Sequence, residues 1–460
     1  MPVYEIKDGV AIIPEGTTEI AEWAFYGESE LTSIVIPDSV TKIGDEAFKN
    51  CTNLKSIVIP DSVTKIGRSA FYGCSGLTSI AIPDGVTEIG NLEFAECSGL
   101  KSIVISESVI EIERSAFAGC LRLTSIKVAD GNKLYDSRNN CNAIIETETN
   151  TLILGCSATI IPDSVTKIGY GAFAECSGLM SVVIPDKVSE IDKFAFYGCS
   201  GLTSIVIPDN VTEIGCGAFC ECSGLTNIAI PNSVTKIGEE AFKDCPFLRF
   251  IVISDKITNI GRSVFAGCSG LTNIAIPDSV IKIGEEAFKN CRNLKSIVIP
   301  NSMTQIGKKA FYGCSRLTSI VIPDSVTKIG YGAFAECSGL MSVVISKSVT
   351  EIERLAFYGC LGLTSIVIPD SVTKINGSAF LCCSGLTSIV IPDSVIKIGE
   401  CAFWQCSGLK SIVISKSVTE IGNLAFAYCT DFKSIYVPVG KTEYYKELLP
   451  VELHGKIKEF

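Results

Sequence analysis

The stretch LTSIVIPDSVTKIGDEAFKNCTN, residues 31–53, decides the fold, because most of the chain repeats it. Leucine stands at 31, 54, 77, 100 and 123 and again from 179 to 409, each step within a run being 23 residues. The segment from Ile161 to Ile184 returns letter for letter from Ile322 to Ile345, an offset of 161 residues, which is seven units of 23. A unit that can be copied whole must make most of its contacts with its immediate neighbours, as in a one-dimensional stack.

With each leucine counted as position 1, the columns can be read one by one. L-T-S-I-V-I reads as a short strand with positions 1, 4 and 6 inward and 2, 3 and 5 outward. Pro-Asp-Ser makes a turn: proline fixes φ, and a short acceptor side chain bonds the next backbone amides. Val and Ile at positions 10 and 13 bury again. Position 14 is usually glycine, but Glu113, Asp192 and Glu353 also stand there, so a strictly positive φ is not required. E-x-A-F-x-x-C reads as one short helical turn on the opposite side, with Ala allowing close approach and Phe filling the interior. That Phe recurs in every regular unit from Phe25 to Phe426, which in a stack makes an aromatic spine. Glu93 occupies the small Ala position, where a buried carboxylate is costly unless it reaches solvent. The fold class that follows is α/β: a leucine-rich-repeat solenoid of about 19 coils, with a parallel β-sheet on the concave face and short helical turns on the convex face.

The expected organisation is a single solenoid over residues 1–460. Residues 1–30 form an amino-terminal cap, with Thr17 and Glu28 where Val and Cys are usual. Repeats fill 31–126 and 156–431, and residues 432–460 form a carboxy-terminal cap containing the short helix candidate KTEYYKELLP. Leu123 and Leu179 are 56 residues apart, one unit of 23 and one of 33, and this is the only break in the period. The insertion, 127–155, has no Ala-Phe pair, and AIIE and TLIL flanking TETN suggest a hairpin. It either carries function, as loops from such stacks often do, or spaces the coils.

Net charge is -11, a field that repels phosphate backbones and anionic lipid surfaces, so nucleic acid is not an expected partner. No run approaches 18 apolar residues, so no membrane insertion is expected. The start, MPVYEIKDGV, lacks a basic segment followed by an apolar run and a small-residue cleavage site, so no secretory signal is expected in this chain. The one histidine, His454, lies in the tail, which leaves serine or cysteine nucleophiles without the usual base. We therefore assign no catalytic residue, no metal and no cofactor.

Sixteen of the 22 cysteines share position 21, from Cys51 to Cys429. Parallel side chains in a ladder favour reduced, buried thiols over bridges, although a coil spacing near 5 Å is within disulfide range. Cys216, Cys220 and Cys222 form the densest group, and a zinc site there would need ligands from elsewhere. The aspartates at position 8, such as Asp38, Asp163 and Asp324, are either calcium ligands or turn-capping acceptors partly offset by Lys42, Lys65 and Lys167 at position 12. Tyr26, Tyr72, Tyr197, Tyr312, Tyr358 and Trp404 at position 19 are either an exposed aromatic stripe or a cover for the helical edge.

The pattern L-x-x-I-x-I-P-x-x-V-x-x-I-G-x-x-A-F-x-x-C resembles the bacterial surface-antigen (BspA-like, Treponema-type) leucine-rich repeat family, from about residue 8 to the end. The tail YVPVGKTEYYKELL and the interruption YDSRNNCNAII also look like features of members from gut and oral bacteria. The resemblance implies a horseshoe or superhelix, a cell-surface or secreted location, and attachment to host proteins or other bacteria. The expected function is a non-catalytic binding or adhesion scaffold for a protein or extended surface ligand; the alternative is a structural or intracellular interaction scaffold. The oligomeric state is not readable from the residues. Candidate ligand-binding residues are the outward strand positions Thr32, Ser33 and Val35, Thr203, Ser204 and Val206, and Thr318, Ser319 and Val321. At the insertion the candidates are Asp136, Arg138, Asn139 and Asn140.

Overall fold

The structure, a computed structural model, describes residues 4–460. The chain divides into two compact units, Met1–Leu225 and Thr226–Phe460, each a stack of parallel-stranded coils. In the first unit Ser33–Val35 pairs in parallel with Val10–Ile12 and with Ser56–Ile57, and Ser102–Ile105 pairs with Ser79–Ala81 and Ser125–Val128. Every regular pairing joins residues 23 apart, so the sequence period is also the register. In the second unit Ser388–Ile391, Ser411–Ile414 and Ser434–Val437 form a ladder with the same register. Leu31, Ile34 and Ile36 are buried and Val35 is exposed, the alternation a half-buried strand requires.

A second parallel ladder runs through positions 12 and 13, as in Glu19–Ile20, Lys42–Ile43 and Lys65–Ile66. Its outward lysines pair with glutamates of the adjacent coil in their own column: Lys42 with Glu19 at 2.6 Å, Lys167 with Glu190 at 2.7 Å and Lys374 with Glu351 at 2.9 Å. This corrects the expectation that they offset the position 8 aspartates. The Pro-Asp-Ser turn is likewise closed by backbone, Val63 N–H donating to the Pro60 carbonyl at 3.0 Å. The serine hydroxyl then reaches back one coil, Ser62 Oγ donating to the Val40 carbonyl at 2.7 Å. Backbone closes these turns before the aspartate is needed.

The segment expected to be a short helical turn is a run of overlapping tight turns. The amides of Ala47, Lys49 and Cys51 donate three residues back, to Gly44, Glu46 and Phe48. Those of Glu46, Phe48 and Asn50 donate across to the carbonyls of Arg68, Ala70 and Tyr72 in the next coil, at 2.9, 2.8 and 2.7 Å. A continuous helix would spend every amide within the coil, whereas this path ties alternate ones to the neighbour. Its geometry puts Glu46 at φ 53° and Asn50 at φ 62°, and the same two positions are left-handed in almost every coil. Glycine at position 20, as in Gly73 and Gly313, is the residue that meets this demand at least strain. Position 14 needs glycine for a different reason. A Cβ on Gly44 would lie 2.5 Å from the amide nitrogen of Glu22 in the preceding coil.

The phenylalanines stack ring on ring, Phe25 to Phe48 at 5.2 Å and 6° in the first unit and Phe288 to Phe311 at 5.4 Å and 2° in the second. Tyr4 covers Phe25 at 5.2 Å, and Phe432 covers Phe426 at 5.8 Å. Ile6–Lys7 folds back antiparallel on Val10–Ile12 at one end. At the other, the helix Thr442–Leu448 and the strand Ile457–Glu459 cover the last coil, the strand pairing with Ser434–Val437. The buried Tyr445 hydroxyl donates to the Ser415 carbonyl.

The cysteine column has a role that its spacing did not disclose. In most coils the thiol donates to the carbonyl of the phenylalanine 26 residues earlier: Cys51 to Phe25 at 2.9 Å, Cys74 to Phe48 at 3.0 Å, Cys291 to Phe265 at 3.1 Å; Cys176, which follows the insertion, has Asn150 at that sequence distance instead. The phenylalanine carbonyl already accepts an amide within its own turn, so the thiol fills its second lone pair. All 22 cysteines are free thiols, and burial pushes Cys51, Cys120, Cys176 and Cys222 up to about 12. Titration in guanidinium without reductant should count close to all 22, and a native titration at pH 8 should count only the less buried few, Cys216, Cys382 and Cys401 first. A denatured count near zero overturns the assignment.

Glu93 does not reach solvent: it is fully buried. Its Oε2 accepts the Gly90 amide at 2.8 Å, where the counterparts Gly44 and Gly67 donate to an isoleucine carbonyl one coil back. The second ladder is divided there, Lys65–Ile66 ending one sheet and Glu88–Ile89 opening the next. Burial, then the neighbouring Glu88 and Glu113 charges, push its carboxyl up to about 8 against the one hydrogen bond that lowers it.

Candidate functional site

Two surfaces hold the residues singled out from the sequence. The first is the outward side of the strand ladder. Val35, Val206 and Val321 are 56, 80 and 62% exposed, and Val58, Val183, Val298 and Val367 continue the same column within the two units. Ser33 is half-buried, and Ser204, Ser319, Thr203 and Thr318 are exposed. The threonine hydroxyls are partly committed: Thr32 Oγ1 donates to the Gly9 carbonyl at 2.9 Å and Thr318 Oγ1 to Lys295 at 3.3 Å. A ligand would meet their remaining acceptor sites and methyls. In the coil carrying Thr203, Ser204 and Val206 the first ladder is reduced to a bridge at Ser204, while Glu213–Ile214 of the same coil keeps its place in the second.

The second surface is the insertion. Ala143–Glu146 and Thr151–Gly155 form the antiparallel hairpin, and Thr151 and Leu152 pair in parallel with Lys167 and Ile168 of the following coil. The hairpin therefore rejoins the stack through the position 12 ladder. Asp136, Arg138, Asn139 and Asn140 line a cleft of about 410 Å³ together with Ser125 and Lys127 of the adjoining strand face. Arg138 is largely engaged: its Nε donates to Asp136 at 2.8 Å, and its Nη1 donates to Asn150 at 2.8 Å and Ser164 at 3.1 Å. It clamps the insertion to the next coil. Asn139 and Asn140 are exposed with φ of 59° and 52°. The structure thus brings the insertion residues to one end of a strand-face segment.

The aromatics of position 19 lie along the turn edge. Tyr197 donates to Glu221 at 3.0 Å, and the Lys49 ammonium lies 5.7 Å from the Tyr26 ring centre and 5.6 Å from that of Tyr72. His454 has its Nε2 within 2.9 and 3.0 Å of the carbonyl oxygens of Lys446 and Leu449. Among the described residues no group of three or more His, Cys, Asp or Glu side chains is placed to hold a metal. Among them, too, no helix is long and apolar enough to cross a membrane.

Stacked parallel coils with a buried aromatic column and a solvent-facing strand ladder define a leucine-rich-repeat scaffold. The chain belongs to the BspA-type leucine-rich repeat family, whose model matches residues 18–143, 154–272, 262–387 and 350–449. It is similar to a leucine-rich repeat protein from Bacteroides ovatus ATCC 8483, with 28% identity over 83% of this chain and 92% of that one and a TM-score of 0.57. A leucine-rich repeat protein from Eubacterium ventriosum ATCC 27560 is 27% identical over 74% of this chain and 83% of that one, with a TM-score of 0.56. No curated protein matches the chain.

Proposed function

We propose that this chain is a non-catalytic adhesion scaffold that binds an extended protein or cell-surface ligand, of host or bacterial origin, along its strand ladder. The observation that carries the reading is the exposed valine column flanked by rows of serine and threonine. Soluble proteins seldom leave aligned apolar side chains in water unless a partner covers them. Small hydroxyls and methyls present a regular, low-relief surface suited to a long ligand rather than a compact one. The commitment of His454 to backbone carbonyls supports the non-catalytic part, since the chain has no other imidazole to serve as a general base.

The test is a combined substitution, Val35→Lys, Val58→Lys and Val104→Lys, assayed for binding to immobilised extracellular-matrix proteins and to whole bacterial cells. These side chains point to solvent, so circular dichroism should match the parent. Binding should fall at least tenfold; retention of parental binding by the folded variant removes the strand ladder from the ligand site.

A further inference from the structure

Charge on the outward side of the strand ladder is of one sign. In the regular coils every charged side chain at strand positions 2, 3 and 5 is basic: Lys55, Lys101 and Lys127 in the first unit, Arg249, Lys295, Lys410 and Lys433 in the second. The whole chain carries 50 Asp and Glu against 39 Lys and Arg, so a random draw would put acids at more than half of these places. All seven are exposed, and none forms an ion pair among the described residues. The lysines of the second ladder are by contrast spent on glutamates, as at Lys42, Lys167 and Lys374. Solubility alone is served at least as well by acids, so the single sign points to a partner.

One stretch of the second unit adds aromatic side chains to this charge. In the coil that begins at Leu248, Phe250 replaces the serine or asparagine of position 3 and is 60% exposed. Phe247 precedes it, 59% exposed, where glycine is commonest. In the position 5 column Ala229 and Ala275 stand one coil to either side of Val252, where most coils carry valine, so Phe250 and Val252 rise above a lowered surface. Arg249 adjoins Phe250, and Lys295 holds the same strand position two coils on. Arg292 and Arg316 are exposed where the chain enters the strands after Leu294 and Leu317. Asp255 and Asp278 lie beyond the strands, at position 8 of the turns that follow.

We propose that this patch anchors an acidic segment of a partner protein in polyproline II conformation, its carboxylates on Arg249 and Lys295 and an apolar side chain against Phe250 and Val252. The inference rests on the strand ladder being the ligand face and names the chemistry of what that face takes. Exposed aromatic and arginine side chains are where binding energy concentrates, and charge of one sign speeds an opposite partner and rejects a like one. The spacing sets the partner's conformation. Neighbouring strands lie about 4.8 Å apart, which puts Arg249 and Lys295 about 9.6 Å apart along the ladder. A polyproline II segment advances about 9.3 Å in each turn of three residues, so acids three apart meet the two cations in turn. The residues between them then face the valine column. In a β-strand residues three apart point to opposite sides, and only one of the two acids would reach. A sulfated polysaccharide could neutralise the cations, but it has no apolar side chain to set against Phe250 and Val252.

The probe is a capped, fluorescently labelled peptide, EPFEPPEPP, offered to the full chain. Saturable binding is expected by fluorescence polarisation, weakened by added salt as contacts between exposed charges are. Arg249→Thr with Lys295→Thr should weaken it at least tenfold, and Phe250→Ser at least fivefold. Each substitution installs the residue that other coils carry at that position, so the fold is kept. The isomeric peptide PPPEEEFPP, with its acids adjacent, should bind at least fivefold more weakly, and KPFKPPKPP should not bind. No saturation at millimolar peptide, equal binding by the isomer or by the lysine peptide, or binding unmoved by the threonine pair overturns the proposal. So does tight binding of a heparin fragment that the threonine pair abolishes and Phe250→Ser leaves intact, which would mark a polysaccharide surface instead. Loss of matrix or cell binding in the valine variant without any peptide binding rejects the acidic partner alone and leaves the strand-ladder reading in place. That variant leaves Arg249, Phe250 and Lys295 unaltered, so the two readings fail separately.

Discussion

Phe288→Ala is expected to lower the stability of the second unit by about 3 to 5 kcal/mol, the range for truncating a large buried aromatic where the surroundings cannot collapse. Phe288 is fully buried and stacks on Phe265 and on Phe311, each at 5.4 Å, so the substitution removes two ring contacts and opens a cavity bounded by the neighbouring coils. Those coils are held at a fixed repeat by two strand ladders and the turn bonds, which is why relaxation is limited. Phe288→Leu retains most of the volume and should cost about 1 to 2 kcal/mol. The unit contains one tryptophan, Trp404, whose emission follows its denaturant unfolding. If the alanine and leucine variants lose the same midpoint, the column is not the packed core described above.

The second large effect is a dependence on pH. The Glu93 carboxyl is held at about 8 in the folded chain against an ordinary 4.5. The folded state therefore binds the proton more tightly than the unfolded one. Its contribution is fully present below about pH 4.5 and is lost as pH rises towards 8, where the folded group must ionise or the chain must open. Over that window the loss is on the order of 4 to 5 kcal/mol, at about 1.4 kcal/mol for each pH unit crossed. Glu93→Gln carries no titrating group and should be the more stable protein at pH 8. Denaturant unfolding of both at pH 5 and pH 8 checks this. Parallel pH dependence in the parent and in Glu93→Gln shows that the carboxylate is not confined as the packing indicates.

Much of the strand side was legible in the residues. The alternation of Leu31, Ile34 and Ile36 with Thr32, Ser33 and Val35 named the inward and outward sides, the Ala-Phe pair named the spine, and AIIE with TLIL named the hairpin. What was not legible depends on contacts between residues about 23 apart in sequence that no local propensity encodes. Lys42–Ile43 is too short to read as a strand, and becomes one only because its neighbours one coil away present the same edge. Glu46, Ala47 and Phe48 are good helix formers or neutral, yet the pull of alternate amides towards the next coil turns the segment into left-handed and right-handed steps. The acceptor for most of the column cysteines is the Phe carbonyl of the previous coil, so only the recurring A-F-x-x-C spacing hinted at a fixed partner. Of the candidate binding residues, exposure of the valines followed from the strand pattern. The engagement of Arg138 with Asn150 and Ser164 did not, because it depends on where the hairpin rejoins the stack.

The fixed register of 23 residues has a consequence for how the chain finds its own arrangement. Coils that are near copies, and in one stretch identical, accept one another's neighbours almost as readily as their own, so a growing stack can skip or misalign by a whole coil while every spine ring and thiol still finds a mate. Nothing in a regular coil records its ordinal place. The irregular coil at 127–155 and the two terminal covers do, since each fits only one flank. They act as index marks on an otherwise uniform ruler, and a chain stripped of them would lose its address system before it lost its packing.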